Sequence, residues 1–448
     1  MQKRMMIAAA VIWATAVLAR AGDAPGDALK IIAGPLFAVV EPNTLRVWVQ
    51  TSEPAEIQCS ITSVGQTNRT GESEDGSRGS VRFATHGDSH ATGAAAHRIQ
   101  PGGEYDVVLR EAGAGDRPIL ARGRVKAPPK QGQSGEYTIA FGSCVHTKRY
   151  PTQSIWNVVA AVKPDCFLFI GDNVYLPNGR RSFPKTRPEV EALYRKYYDR
   201  QCRVAELQPV LRSTISYAIW DDHDYGTNNS DRTWKWNDVA LQVLGEYFPN
   251  RYGLPDARGC FFRFSWGDLD FFMLDDRSFR DPNTDPNRTT FLGAKQLAWL
   301  KQGLAASDAT FKIIACGNQM LSATGDQEGW GVDFPAERDA FLDWIWSEPI
   351  DGVLFLAGDR HFAELVVKRD PKVRGNDLWE LTSSPLANFH HPLAHRVPNQ
   401  DRRAIYNGGV NVGVLRFDTT AKPPRVEMRV LDVNGDEVIG RTVRRVDG

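Results

Sequence analysis

Asp221-Asp222-His223-Asp224 places three carboxylates and an imidazole at the end of an apolar run, Ile215 to Trp220. So much negative charge in one place is unfavourable unless cations or hydrogen-bond donors offset it. The arrangement recurs along the chain. Gly142 is followed by Ser143 and Cys144, Gly171 by Asp172-Asn173-Val174-Tyr175, and Leu274 by Asp275-Asp276-Arg277. Cys316 is followed by Gly317-Asn318-Gln319, Ala357 by Gly358-Asp359-Arg360-His361, and Asn228 and Asn229 lie just beyond the acidic cluster. A single ending of this kind is ordinary turn chemistry, because Asp and Asn start turns and cap helices. Six of them suggest one shared site.

Carboxylates, amide oxygens, an imidazole, a phenol and a thiol make a mixed hard and borderline ligand set. Paired Cys/His spacing, the mark of a structural zinc knot, is missing. The set suits two or more cations, one of them a strong Lewis acid able to accept a phenolate and a thiolate. Asp172 at a strand end is placed to bridge two metals, and Tyr175 three residues on can offer a phenolate to a ferric ion. Alone, Tyr175 would read as a packed aromatic; beside the other endings it reads as a ligand.

Such residues meet only if the strands that carry them stop along one edge. Apolar runs at 137–142, 166–171, 215–220, 270–274, 311–316 and 352–358 have strand composition. Helical patterns fall between them, near 153–162, 188–200, 235–247, 294–305 and 335–347. That alternation is the signature of a layered α/β domain, in which ligands bind beyond the carboxyl ends of the strands. Ahead of it, residues 31–127 alternate as an all-β unit of sandwich type, with "TLRVWVQT" at Thr44 to Thr51 and a Pro-Gly-Gly turn feeding the strand that carries Tyr105. Gly65 to Gly93, rich in Ser, Thr, Gly and charge, reads as loop, and Lys126 to Gly135 as a linker. From Trp379 the tail returns to strands.

Several classes are disfavoured by composition. The 448 residues are 42% hydrophobic, and 54 Lys+Arg balance 54 Asp+Glu. No basic field marks a nucleic-acid surface, so an anionic ligand must be drawn by something local. Lys3 and Arg4, an apolar stretch from Met5 to Leu18 and Ala19-Arg20-Ala21 read as an export signal over 1–21, too short for a comfortable span of a bilayer. The expected location is periplasmic or secreted, with no transmembrane segment in the mature chain. The six cysteines are widely spread and do not form a disulfide framework.

The stretches "FGSC" (141–144), "FIGDNVY" (169–175), "WDDHDYGTNN" (220–229), "FMLDDRSFR" (272–280), "GNQML" (317–321) and "LAGDRHFAEL" (356–365) resemble the PhoD-like alkaline phosphatases and phosphodiesterases. These are a branch of the calcineurin-like metallophosphatases related to purple acid phosphatases. The resemblance covers most of residues 31–440. It implies a fibronectin- or Ig-like N-terminal β-sandwich (31–127) followed by a four-layer α/β/β/α metallophosphatase domain (136–440). It also implies iron, expected as Fe3+, on Cys144, Asp172, Tyr175 and His361. Calcium would sit at a second site formed by Asp172, Asp222, Asn228 or Asn229, and Asp359. His223 would stabilise the phosphate or protonate the leaving oxygen, with Arg360, Arg277 and Arg280 as candidate clamps. His146 is placed to touch substrate. Asp221 and Asp224 would orient His223 or nearby loops. Two superfamily motifs depart here: Gly-Ser-Cys replaces Asp-x-His, and Gly-Asp-Arg-His replaces Gly-His-x-His, both as in the PhoD-like branch.

The implied activity is hydrolysis of phosphate diesters, monoesters or both by in-line attack of a metal-bridging hydroxide. Rival readings are a strict phosphomonoesterase, a phospholipase-D-like lipid phosphodiesterase, and a non-catalytic surface-binding protein on the same scaffold. Histidines of "NFHHPLAH" (Asn388 to His395) read as rim or solvent-facing, and His86, His90 and His97 as structural or exposed. Two "NRT" sequons, 68–70 and 287–289, matter only if the chain is glycosylated.

Overall fold

The computed structural model describes residues 28–41, 43–64, 79–86, 91–115, 117–179, 183–323, 328–372 and 375–445. The export-like segment 1–21, the first sequon and His90 lie outside them. The fold is mixed α/β and built on three sheets of nine, seven and four strands.

Six strands expected from apolar runs are present as Glu136–Gly142, Cys166–Ile170, Ile215–Ile219, Leu269–Met273, Phe311–Ala315 and Val353–Ala357. Three of them, 136–142, 166–170 and 215–219, pair in parallel within the nine-stranded sheet. The other three pair in parallel within the seven-stranded sheet. Ile155–Val162, Arg187–Cys202, Asn237–Tyr247, Ala294–Ala305 and Pro335–Ser347 are the helices anticipated between them.

Period-2 alternation explains the layers. Phe271, Met273, Ile313, Ala315, Leu354 and Leu356 join a core cluster that includes Phe141, Leu168 and Tyr217 of the nine-stranded sheet. Rings cross between the sheets: Tyr217 stacks on Phe264 with centroids 3.7 Å apart. The intervening residues Phe272, Ile314 and Phe355 point the other way, into a second cluster with Leu300, Leu304, Phe341 and Ile345 of the helices 294–305 and 335–347. Both faces of these strands are therefore buried, which is why the runs read as continuously apolar.

The N-terminal strands differ from expectation in two ways. Ile31–Glu41 pairs in parallel with Ile215–Ile219, through Phe37 opposite Ile215, and carries Thr44–Thr51 and Ala91–Arg98 with it into the nine-stranded sheet. Glu56–Ser63, Gly79–Ala84, Glu104–Glu111 and Ile119–Lys126 form the separate four-stranded sheet. The expected loop at 65–93 thus contains the strand 79–84 and the start of 91–98. Their small and polar residues carry little strand signal, and the partners supply it: Ala94 and Ala95 lie opposite Trp48 and Val47. All six cysteines are buried and free. Among the described residues no helix is long and apolar enough to cross a membrane.

Candidate metal centre

The strand ends converge because two glycines let backbones meet. Gly171, with φ +99°, faces Asp221 so closely that an added Cβ would lie 2.6 Å from the Asp221 Cβ. At Gly317 the same atom would lie 2.7 Å from Asp276 Oδ2 and 2.8 Å from Asp221 Cβ. Side chains at these positions would push the two sheets' carboxyl ends apart.

Backbone strain clusters at several candidate ligand positions and beside them. Seven non-glycine residues among those described have positive φ, and Lys163 at a helix end is the one remote from the site. The other six are Cys144 (64°), Asp172 (51°), Asn229 (59°), Glu328 (71°), Asp359 (63°) and His361 (56°). Left-handed backbone costs a non-glycine residue on the order of 1 kcal/mol or more, and such strain clusters where function requires it.

Asp172 is the hub. Its Oδ2 lies 2.8 Å from the Tyr175 hydroxyl and 3.5 Å from Cys144 Sγ, and its Oδ1 accepts the His223 backbone N–H at 3.2 Å. The Tyr175 hydroxyl is also 3.0 Å from His361 Nε2. Three groups offer ligand atoms mutually within 4.8 Å, and Asp172 belongs to each: with Cys144 and His361, with Asp222 and His223, and with Asp221 and Asp359. Tyr175 is held between two imidazoles, stacked on His223 at 4.2 Å and on His146 at 4.8 Å.

Electrostatics favour added cations. Burial, reinforced by the charges of Asp222 and Asp221, pushes the Asp172 carboxyl well above the usual carboxylate range. Burial likewise raises the Cys144 thiol and the Tyr175 phenol, with Asp172 adding to both. Asp359 is pushed up to about 7, first by burial and then by Asp221. Burial brings His361 down to about 3, leaving a neutral imidazole. Asp222 is the exception: burial pushes it up, but His223, Arg277 and the Asn229 N–H bring it below its ordinary value. Asp359 Oδ2, His223 Nδ1 and His361 Nδ1 are buried without a hydrogen-bond partner among the described residues. A thiol, a phenol and carboxylates that hold their protons until positive charge arrives fit a metal centre, because metal binding displaces such protons.

The expected residues separate into those facing the cavity and those beneath it. Asp172, Tyr175, Asp222, His223, Asn228, Asp359, Arg360, His361 and His146 line one cavity of about 890 Å³. Cys144 lies behind Asp172, fully buried. Asn229 turns aside: its backbone N–H donates to Asp222 Oδ2 at 2.6 Å, and its amide nitrogen faces Glu328. Asp224 ties the turn together, accepting from the Asn173 backbone and side chain (3.0 and 2.7 Å) and from the Asp221 N–H (2.7 Å). With Asp221 it forms a capping box on the short helix Asp222–Tyr225.

Arg277 and Arg280 are corrected as substrate clamps. Arg277 is 1% exposed and absent from the cavity lining; its Nε donates to Asp221 Oδ1 at 2.6 Å. Asn318 donates to the other Asp221 oxygen at 2.9 Å and accepts from Arg280 at 3.0 Å. Both guanidiniums therefore sit under the floor, where paired carboxylates can hold them away from water. Asp221 and Asp224 make no hydrogen bond to the His223 ring, so they orient the turn rather than the imidazole.

Glu328 was not anticipated. It lines the cavity 3.6 Å from Arg277 Nη1, and burial with the Asp222 charge pushes its carboxyl up. It belongs to an irregular segment rather than a strand end. The glycine-flanked acidic stretch Gly325 to Gly329 was its one signal. Of the "NFHHPLAH" loop, Asn388, Phe389 and His391 line the rim. His97 is buried, with Nε2 3.2 Å from Cys59 Sγ.

Fold and donor set place candidate metal-binding residues where the strand ends of two sheets meet. The PhoD-like phosphatase family matches residues 139–419. Alkaline phosphatase D of Bacillus subtilis (strain 168) is 26% identical over 285 residues, 53% of this chain and 48% of that protein. The match thus spans about half the length of that curated relative. A solved structure of PhoD superposes with a TM-score of 0.70 at 16% identity, covering 94% of this chain and 93% of the other. The purple acid phosphatase PPD1 from yellow lupin seeds gives 0.62 at 11% identity, over 92% and 74%. The chain belongs to the PhoD-like phosphatase family.

Proposed function

We propose that the chain is an exported, metal-dependent phosphoesterase that hydrolyses phosphate diesters, monoesters or both. The observation that carries this reading is the sharing of Asp172 among three potential ligand groups on the floor of the cavity. The donor types support Fe3+ on Cys144, Asp172, Tyr175 and His361, and calcium on Asp172, Asp222, Asn228 and Asp359. Cations held there would supply an acidified water and polarise the phosphoryl oxygens.

The chain's own residues do the rest. Arg360 lines the cavity and offers a fork of donors to non-bridging oxygens. The His223 ring, fixed by its stack on Tyr175 and by its backbone bond to Asp172, has Nδ1 buried. Its Nε2 edge is left to hold a proton for the leaving oxygen. Residues 136–440 are read as a four-layer catalytic domain whose nine-stranded sheet is extended by the strands 31–41, 44–51 and 91–98, and residues 1–21 as the export signal.

Purified protein with its metals quantified should hydrolyse aryl phosphate monoesters or diesters, faster with calcium than without. Turnover of neither substrate by metal-loaded protein would sink the reading. Phenolate and thiolate on ferric iron should give a visible absorption band that Tyr175→Phe and Cys144→Ser each alter. A colourless protein loaded with zinc alone would overturn the metal assignment.

A further inference from the structure

A second recess of about 550 Å³ adjoins the catalytic cavity, and Lys148 lines both. Its walls include Thr147, Thr152, Arg200, Arg203 and Glu206. Arg203 is already engaged, with Nη2 3.1 Å from Asp199 and Nε donating to Gln50 Oε1 at 2.9 Å. Lys148 and Arg200 are not. Arg200 Nη1 is buried with no hydrogen-bond partner among the described residues, and no ion pair engages the exposed Lys148 there. Burying a guanidinium N–H unpaired is costly, so an acceptor is expected to reach it. The Arg200 guanidinium lies 5.5 Å from the centre of the Tyr197 ring, and Tyr197 lines the catalytic cavity. Arg149 also lines the catalytic cavity.

We propose that this recess is a subsite for a second phosphate of the substrate, held by Arg200 and Lys148 while the scissile phosphate sits at the metal centre. The inference rests on the phosphoesterase reading above and narrows it to substrates with two phosphates linked by a short spacer. With Arg203 paired to Asp199, Lys148 and Arg200 against Glu206 still leave the lining net positive, in a chain with no net charge overall. Glu206 disfavours a third anionic group beside them.

The test compares kcat/KM for an aryl alkyl phosphate diester and for the same diester carrying a terminal phosphate on its alkyl chain. The native protein should prefer the bisphosphate, and Arg200→Ala should lose about tenfold on it, the worth of one charge-assisted hydrogen bond. Turnover of the plain diester should be unchanged, and Arg200→Lys should restore part of the preference. A terminal carboxylate in place of the phosphate tells phosphate recognition from general attraction of anions, and equal preference for it would overturn the phosphate assignment. No preference in the native protein, or equal losses on both diesters in Arg200→Ala, would overturn the subsite while leaving the phosphoesterase reading intact. Turnover of neither diester would remove both.

Discussion

The floor of the cavity and the four-stranded sheet at 56–63, 79–84, 104–111 and 119–126 are built on opposite principles. In the sheet, Ile57, Cys59, Ile61, Tyr105, Val107 and Leu109 turn inward at every second position, and no described residue of its strands has positive φ. Its polar pairs are exposed, as in Arg124 with Asp106 at 2.7 Å. At the floor, six non-glycine residues adopt left-handed backbone and buried polar atoms lack partners. The sheet meets local rules everywhere, and the floor breaks several of them in one place. Violations that concentrate in this way mark where stability has been given up for chemistry.

The largest effect that would break this comparison is at the hub. Asp172→Asn should lower turnover by on the order of a thousandfold, since cation chemistry contributes several kcal/mol to the transition state. Metal analysis should show loss at both sites, because Asp172 belongs to every ligand group. The metal-free variant should melt no lower than the metal-free native protein, as one source of carboxylate repulsion is gone. A variant that keeps both metals would show that Asp172 does not bridge.

Next comes the layer under the floor. Arg277→Met leaves Asp221 and Asp276 buried without their guanidinium, and Asp276 Oδ1 already lacks a hydrogen-bond partner among the described residues. Breaking a buried pair from one side costs about 3–5 kcal/mol. Urea denaturation would measure it; a loss below about 1 kcal/mol would fit an exposed pair instead.

In the regular sheet the expectation reverses. Leu109→Ala, at a fully buried position between Cys59 and Ala121, should cost about 2–5 kcal/mol of stability. At a temperature where the variant stays folded, turnover should match the native protein. A drop in turnover would mean that the four-stranded sheet helps to shape the site.

The same contrast governs what can be read before folding. Cys144, Asp172, Tyr175, Asp222, Asp359 and His361 are legible because each follows an apolar run that can only be a buried strand, and strand ends share an edge. Glu328 is not, because a loop position is fixed by contacts remote in sequence, here Arg277 and Asn229. Arg277 was legible as a neighbour of the site but not in its direction: whether a cation faces substrate or a buried carboxylate depends on how closely Gly317 lets Asp221 approach. The pairing of Ile31–Glu41 with Ile215–Ile219 joins segments nearly two hundred residues apart through one register contact, and no local pattern encodes it.

A buried acid away from the cavity bounds the strained region. Glu380, on Leu378–Thr382 of the seven-stranded sheet, accepts the backbone N–H groups of Met320 (2.7 Å) and Leu321 (3.0 Å) through Oε2, and its Oε1 is buried without a partner among the described residues. Burial pushes its carboxyl from an ordinary 4.5 up to about 7, and Glu364 adds to the rise. A carboxyl raised on folding holds its proton more tightly in the native state. Its contribution to stability is therefore complete below about pH 4.5 and lost as pH climbs through about 7. Glu380→Gln fixes the neutral form and can still accept both N–H groups. Relative to the native protein it should gain at most about 3 kcal/mol at pH 8 and almost nothing at pH 4. Melting curves at the two pH values decide it. Equal effects at both would mean that the Glu380 carboxylate is satisfied by groups other than its own proton, and that the strained region ends at the cavity wall.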